Sequence, residues 1–126
     1  MHKIDANIIL RYMLNDHTEL SPKAKEIIDQ HSVEVPIEVF CEVVYVLTGY
    51  YKIDRQIVST ELEHFIEQTR CILPHQRVVL QTLKYFGKTS LDFVDCILAS
   101  YAQIEKDEIH TFDNKLQKLL AEIRQP

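Results

Sequence analysis

Glycine and proline are scarce in this sequence, 2 and 4 residues in 126, which argues against disorder, collagen-like repeats and loop-dominated β folds. Cysteine is equally sparse. Cys41, Cys71 and Cys96 are odd in number, widely spaced and set among apolar residues. No pair has metal-ligand spacing, so they read as buried free thiols in a reducing compartment. No apolar run approaches the ~20 residues of a membrane span. Asp5 and Arg11 interrupt the apolar N-terminus and no small-residue cleavage site follows, unlike a signal peptide. A cytoplasmic protein is expected. Basic excess is missing too: a net charge of −5 leaves no general electrostatic footprint for nucleic acid. It does not exclude a nucleic-acid enzyme, because each divalent cation held by clustered acids cancels two charges.

What is present is enough for one domain. A chain of 126 residues with 46% hydrophobic content can bury a core without disulfides or a structural metal. His2–Ile4 reads as a minimal strand and Asn7–Leu14 as a short helix. Ser21–Gln30 reads as a second helix, with Ser21 as N-cap and Pro22 at the first helical position. Val33–Pro36 is a short strand stopped by its proline. Val39, Phe40, Val43, Val44 and Leu47 recur at helical spacing, which predicts a helix over 37–50 ending near Gly49. Asp54 caps a helix reaching about Thr69. Cys71–Leu73 is a third strand, stopped by Pro74. Gln76–Phe86 is helical and Gly87 ends it. Thr89 or Ser90 caps a helix to about Lys106, Glu108–Phe112 is a fourth strand, and Asp113–Ile123 is the last helix. Short apolar strands alternating with helices imply a parallel sheet covered on both faces. Functional residues in such sheets gather beyond the carboxyl ends of the strands, where Asp5 and Asp113 stand.

Two further acids sit in apolar surroundings. Glu42 lies in PIEVFCEVVYVLTGYY, a helix apolar nearly all round and therefore expected to be mostly buried. Asp95 lies in LDFVDCILASYAQI, where Asp92, Asp95, Ala99 and Ala102 share one helical stripe. Each acid has an ordinary reading by itself. Asp5 and Asp113 suit helix N-caps, Asp92 suits a capping-box-like end after Thr89, and Glu42 and Asp95 suit buried ion pairs. As a set they read differently. Clustered carboxylates need cations, and oxygen-only ligands favour Mg²⁺ or Mn²⁺ over zinc. Two such ions activate a water and stabilise the leaving oxygen of a phosphodiester, which is nuclease chemistry.

In this order (Asp5-Ala6-Asn7 after a strand, Glu42 in EVFCEVVYVL, Asp95 in LDFVDCILAS, Thr111-Phe112-Asp113) the sequence resembles the PIN-domain ribonucleases, and by size the VapC-type toxins of toxin–antitoxin pairs. The resemblance covers nearly the whole chain. It implies a single PIN-like domain over 1–126, an α/β/α sandwich around a short parallel sheet of four or five strands. It also implies a Mg²⁺- or Mn²⁺-dependent endoribonuclease, a homodimer, and a cognate antitoxin partner. Asp5, Glu42, Asp95 and Asp113 match the family's acidic, metal-holding quartet. Asn7, Asp92 and Thr111 match its polar supports, Thr111 as a hydrogen-bond partner of a ligating carboxylate. Ala6 stands where the family often has threonine, and the chain stops soon after the last helix, so a fifth strand is short or absent. Arg11, Lys115 and Lys118 are candidate RNA contacts, although each lysine reads first as part of a solvated helix face. The six histidines lack ligand spacing.

Three alternatives stand beside the toxin. A housekeeping PIN nuclease in RNA processing keeps the chemistry, and a degenerate PIN module that only binds loses it. A receiver domain also gathers acids around Mg²⁺, but it needs an acceptor aspartate ending a central strand, where VEVP and CIL meet prolines.

Overall fold

The computed structural model describes residues 1–125. It is a mostly helical α/β arrangement. Strand β1 (His2–Lys3) leads into helices α1 (Ala6–Leu14) and α2 (Leu20–Gln30), then strand β2 (Val33–Glu34). Helix α3 (Ile37–Tyr45) runs on into a π-helical turn over Val46–Tyr50. Helices α4 (Arg55–Gln68), α5 (Gln76–Lys88), α6 (Phe93–Glu105) and α7 (Asn114–Arg124) complete it.

The sheet is smaller than the sequence predicts. β1 and β2 pair in parallel, His2 opposite Val33 and Lys3 opposite Glu34. The predicted third strand is reduced to a parallel bridge between Ile72 and Glu34. Val35 N donates to Ile72 O at 2.9 Å and Ile72 N to Val33 O at 2.7 Å, after which Pro36 and Pro74 leave no N–H to extend the ladder. Glu108–Phe112 forms no strand among the described residues, although its exposure alternates residue by residue as an edge strand's would. A sheet of four or five strands is therefore not formed by the described residues, two strands and one bridge standing in its place.

The core is made by helices closing over this short ladder. Ile9, Ile28, Val33, Val35, Phe40, Leu62, Leu83 and Leu116 are all essentially inaccessible to solvent. α5 packs against α4 and α6, α1 against α2 and α3, and α7 against α6. Gly87 does not end α5 but lies within it. A Cβ at that position would come within 3.2 Å of Ser59 Cβ and Oγ, and Ser59 is pinned by its hydroxyl donating to Leu83 O at 2.6 Å. The glycine permits close approach of α4 and α5.

Helix starts follow capping chemistry, with two corrections. α6 has Asp92 at its N-cap, not Thr89 or Ser90. Thr89 instead donates back to Tyr85 O at 2.8 Å and accepts from Leu91 N at 3.3 Å. α2 begins one residue early, and Ser21 is buried inside it. Its first turn is held by His17, whose Nδ1 accepts from Leu20 N at 2.9 Å and Glu19 N at 3.3 Å. Ser21 Oγ reciprocates by accepting from His17 N at 3.2 Å. A histidine thus does what an Asn or Asp side chain does at an N-cap, and propensity rules did not single it out. His17→Ala is expected to lower unfolding free energy by about 0.5–2 kcal/mol and His17→Asn to keep most of it, as read from urea denaturation.

Candidate active site

Asp113 sits at the N-cap of α7. Its Oδ1 accepts from Leu116 N at 2.9 Å, so the cap expected from the sequence is formed. The approach is braced as well. Thr111 Oγ1 accepts from Asp113 N at 3.0 Å, and Gln117 Nε2 donates to Thr111 O at 2.7 Å. Thr111 therefore supports Asp113 through its backbone and not through the carboxylate. Asp5 caps α1 in the same manner, Oδ1 accepting from Ile8 N at 3.1 Å. Each cap engages one carboxylate oxygen, and among the described residues the other carries no hydrogen bond. Capping and ligation are thus compatible at both positions.

Asp92 occupies the N-cap of α6 without making a side-chain cap bond, which leaves its carboxylate uncommitted. Asp95 lies half-buried in the first turn of that helix. Asp92, Asp95 and Asp113 line one cavity of about 350 Å³, together with Ser90, Leu91, Asn114 and Lys115. The N-terminal turns of α6 and α7 meet there, so two helix dipoles offset part of the carboxylates' mutual repulsion. The offset is incomplete. Burial pushes the Asp95 carboxyl above the usual aspartate value, and the negative charges of Asp113 and Asp92 push it further. Lys115 Nζ reaches Ser90 Oγ at 3.4 Å on the rim.

The donor chemistry fits a hard divalent cation, because the cavity offers carboxylate, hydroxyl and amide oxygens. Among the described residues, no three His, Cys, Asp or Glu side chains close into a ready-made ligand set. Mg²⁺ tolerates that openness, since it keeps several waters and takes only one or two carboxylates directly.

The remaining residues singled out by the sequence are placed as follows. Asp5 and Glu42 lie outside the lining of this cavity. Glu42 is exposed, correcting the expectation of burial, because Val43, Val44 and Leu47 take the core-facing side of the helix. Asn7 is exposed in the first turn of α1. Arg11 is engaged elsewhere: its guanidinium donates to Asp16 Oδ1 at 2.8 Å and to Tyr51 Oη at 3.2 Å, tying α1 to the chain after the π-turn. Its Nε is buried without a hydrogen-bond partner among the described residues. Lys118 is exposed on α7.

Sequence reasoning missed Arg55. Its guanidinium lies 3.7 Å from the centroid of the Phe86 ring and donates to Phe86 O at 3.2 Å and to Leu91 O. It thereby fixes the turn between α5 and α6 that carries Ser90 and Asp92 into the cavity. No local pattern marks it, because both carbonyls are more than thirty residues away in sequence.

A helical α/β domain with acids gathered at the N-termini of two adjoining helices defines the class. The chain belongs to the PIN domain family, whose model matches residues 4–121. That span includes all four quartet positions. PIN domains are generally metal-dependent nucleases acting on RNA. No curated protein and no solved structure matches the chain.

Because the folded Asp95 carboxyl titrates above its unfolded value, the folded chain holds more protons across that window. Asp95's contribution to stability therefore falls as pH rises from the ordinary aspartate value of 3.8. Asp95→Asn is expected to raise the metal-free Tm at pH 7. The gain should vanish below the window, and thermal scans from pH 3 to 7 check both statements.

Proposed function

We propose that this chain is a Mg²⁺- or Mn²⁺-dependent endoribonuclease, a single-domain VapC-type toxin of a type II toxin–antitoxin pair. It acts in the cytoplasm as a homodimer restrained by a cognate antitoxin. The observation that carries the nuclease reading is the convergence of Asp92, Asp95 and Asp113 on one cavity within a PIN domain. No helix among the described residues is long and apolar enough to cross a membrane, which accords with the cytoplasmic assignment. The exposed Tyr45 and Val94 beside the groove between α3 and α6 favour self-association.

In this reading Asp95 and Asp113 hold the cation, Asp92 assists, and Asp5 and Glu42 complete the acidic set. When bound, the cation supplies charge neutralisation, polarisation of the phosphoryl oxygen and activation of water. The chain's own groups do the rest. Asp95, flanked by two other acids, accepts a hydrogen bond from the attacking water in this reading. The meeting N-termini of α6 and α7 favour an incoming phosphodiester. Lys115 reaches the same phosphate from the rim, where its amine touches Ser90.

A catalytically degenerate binding module is the second reading, favoured by the open spacing of the acids. Cleavage of total cellular RNA decides between them. The wild type is expected to cut with Mg²⁺ or Mn²⁺ and to stop with EDTA. Asp95→Asn, Asp113→Asn and Asp5→Asn are each expected to lose at least about 100-fold in rate while keeping their circular dichroism. A folded, antitoxin-free wild type that cuts no RNA in either metal selects the binding module. Growth arrest by the wild type expressed alone, relieved by Asp95→Asn, supports the toxin assignment over a housekeeping nuclease.

A further inference from the structure

Phe112 is the most exposed large apolar side chain of the described residues, 100% accessible, and it stands directly before Asp113. Its exposure is imposed by a braced turn. Gln117 holds the carbonyl on one side, Thr111 Oγ1 holds the N–H on the other, and Asp113 is locked to Leu116 N. Phe112 is one of the residues lining a second cavity of about 440 Å³, with Ile109, His110, Gln117, Leu120, Ala121 and Arg124. Its size falls within the ~300–1,000 Å³ range of small-ligand sites. The acid-lined cavity adjoins the same turn, Asp113 lining one cavity and Phe112 the other.

We propose that Phe112 and this cavity form a nucleobase subsite, holding by stacking the base one nucleotide from the scissile phosphate. The inference rests on the nuclease reading above. A phosphodiester held at Asp95 and Asp113 brings its flanking nucleotides toward the turn that carries Phe112, the residue next to Asp113 in the chain. A base needs an aromatic face and a few polar groups at its edge. Phe112 offers the first, and His110, Gln117 and Arg124 offer the second. Arg124 is held 3.5 Å from Glu108 at the cavity's margin, which places a cation near the backbone without closing the space. The lining mixes apolar Ile109, Leu120 and Ala121 with polar His110, Gln117 and Arg124, and a base is favoured over a protein partner because Phe112 directly precedes Asp113 of the acid-lined cavity. Stacking tolerates every base, so the subsite contributes affinity first and sequence preference second.

The test is cleavage and binding of a randomised pool of single-stranded RNA 12-mers by the wild type, Phe112→Ala and Phe112→Trp, with cut ends sequenced. Phe112→Ala is expected to raise KM and Kd about 10-fold with kcat little changed, and to relax base preference next to the cut. Phe112→Trp is expected to restore binding. A 2-aminopurine placed at that nucleotide is expected to be quenched by the wild type and Trp variant but not by the Ala variant. Equal KM, Kd and base preference for wild type and Phe112→Ala would overturn the subsite while leaving the nuclease standing. A loss of self-association with unchanged RNA binding would overturn it in favour of a protein contact. If the folded wild type neither binds nor cuts the pool, the nuclease reading itself fails and the subsite falls with it.

Discussion

Carboxylates of like charge brought together in a half-buried cavity repel one another, and here the surrounding architecture holds Asp92, Asp95 and Asp113 against that repulsion. The helix N-termini do the holding. Asp92 and Asp113 both stand at N-caps, where free backbone N–H groups and the positive end of the macrodipole favour negative charge. The compensation is partial, as the raised Asp95 carboxyl shows. A site left with excess negative charge carries a local cost in stability. That is a frequent condition of functional centres, where local stability is sacrificed for chemistry.

Maintaining such a site requires rigid support from residues that do no chemistry. Arg55 stacks on Phe86 and hydrogen-bonds the carbonyls of Phe86 and Leu91, so the turn before α6 cannot move outward to relax the charges. Gly87 and Ser59 allow α4 and α5 to pack closely, which fixes the platform from which Arg55 reaches. On the opposite flank, Thr111 and Gln117 brace the turn before α7. Arg11 supplies a separate clamp between α1, Asp16 and Tyr51. The short ladder β1–β2, with its bridge to Ile72, sets the direction of these elements but provides little of the core.

Much of this was legible locally. Asp5, Asp54 and Asp113 cap the helices their positions indicate, because a carboxylate two or three residues before an N–H satisfies it without long-range help. The helical stripe Phe40, Val43, Val44, Leu47 faces the core as its spacing requires. Legibility failed where a side chain's partner lies far away in sequence or the cap is unusual. Glu42 sits in a helix that looks apolar all round, yet three-dimensional packing covers only one side of it. His17 and Ser21 exchange hydrogen bonds in a pattern that composition does not advertise. Glu108–Phe112 alternates like a strand but joins no ladder among the described residues.

By itself, the sequence determined the order of the helices, several helix caps and the apolar stripes, because these depend on neighbours within a turn or two. Tertiary structure decided which acids share a cavity, that Arg11 bonds Tyr51, that Arg55 bonds the turn before α6, and that Phe112 stands clear of the core. Each of those outcomes is a contact, or a missing contact, between segments tens of residues apart. Such contacts are fixed by how whole helices pack, and no periodicity along one segment encodes them.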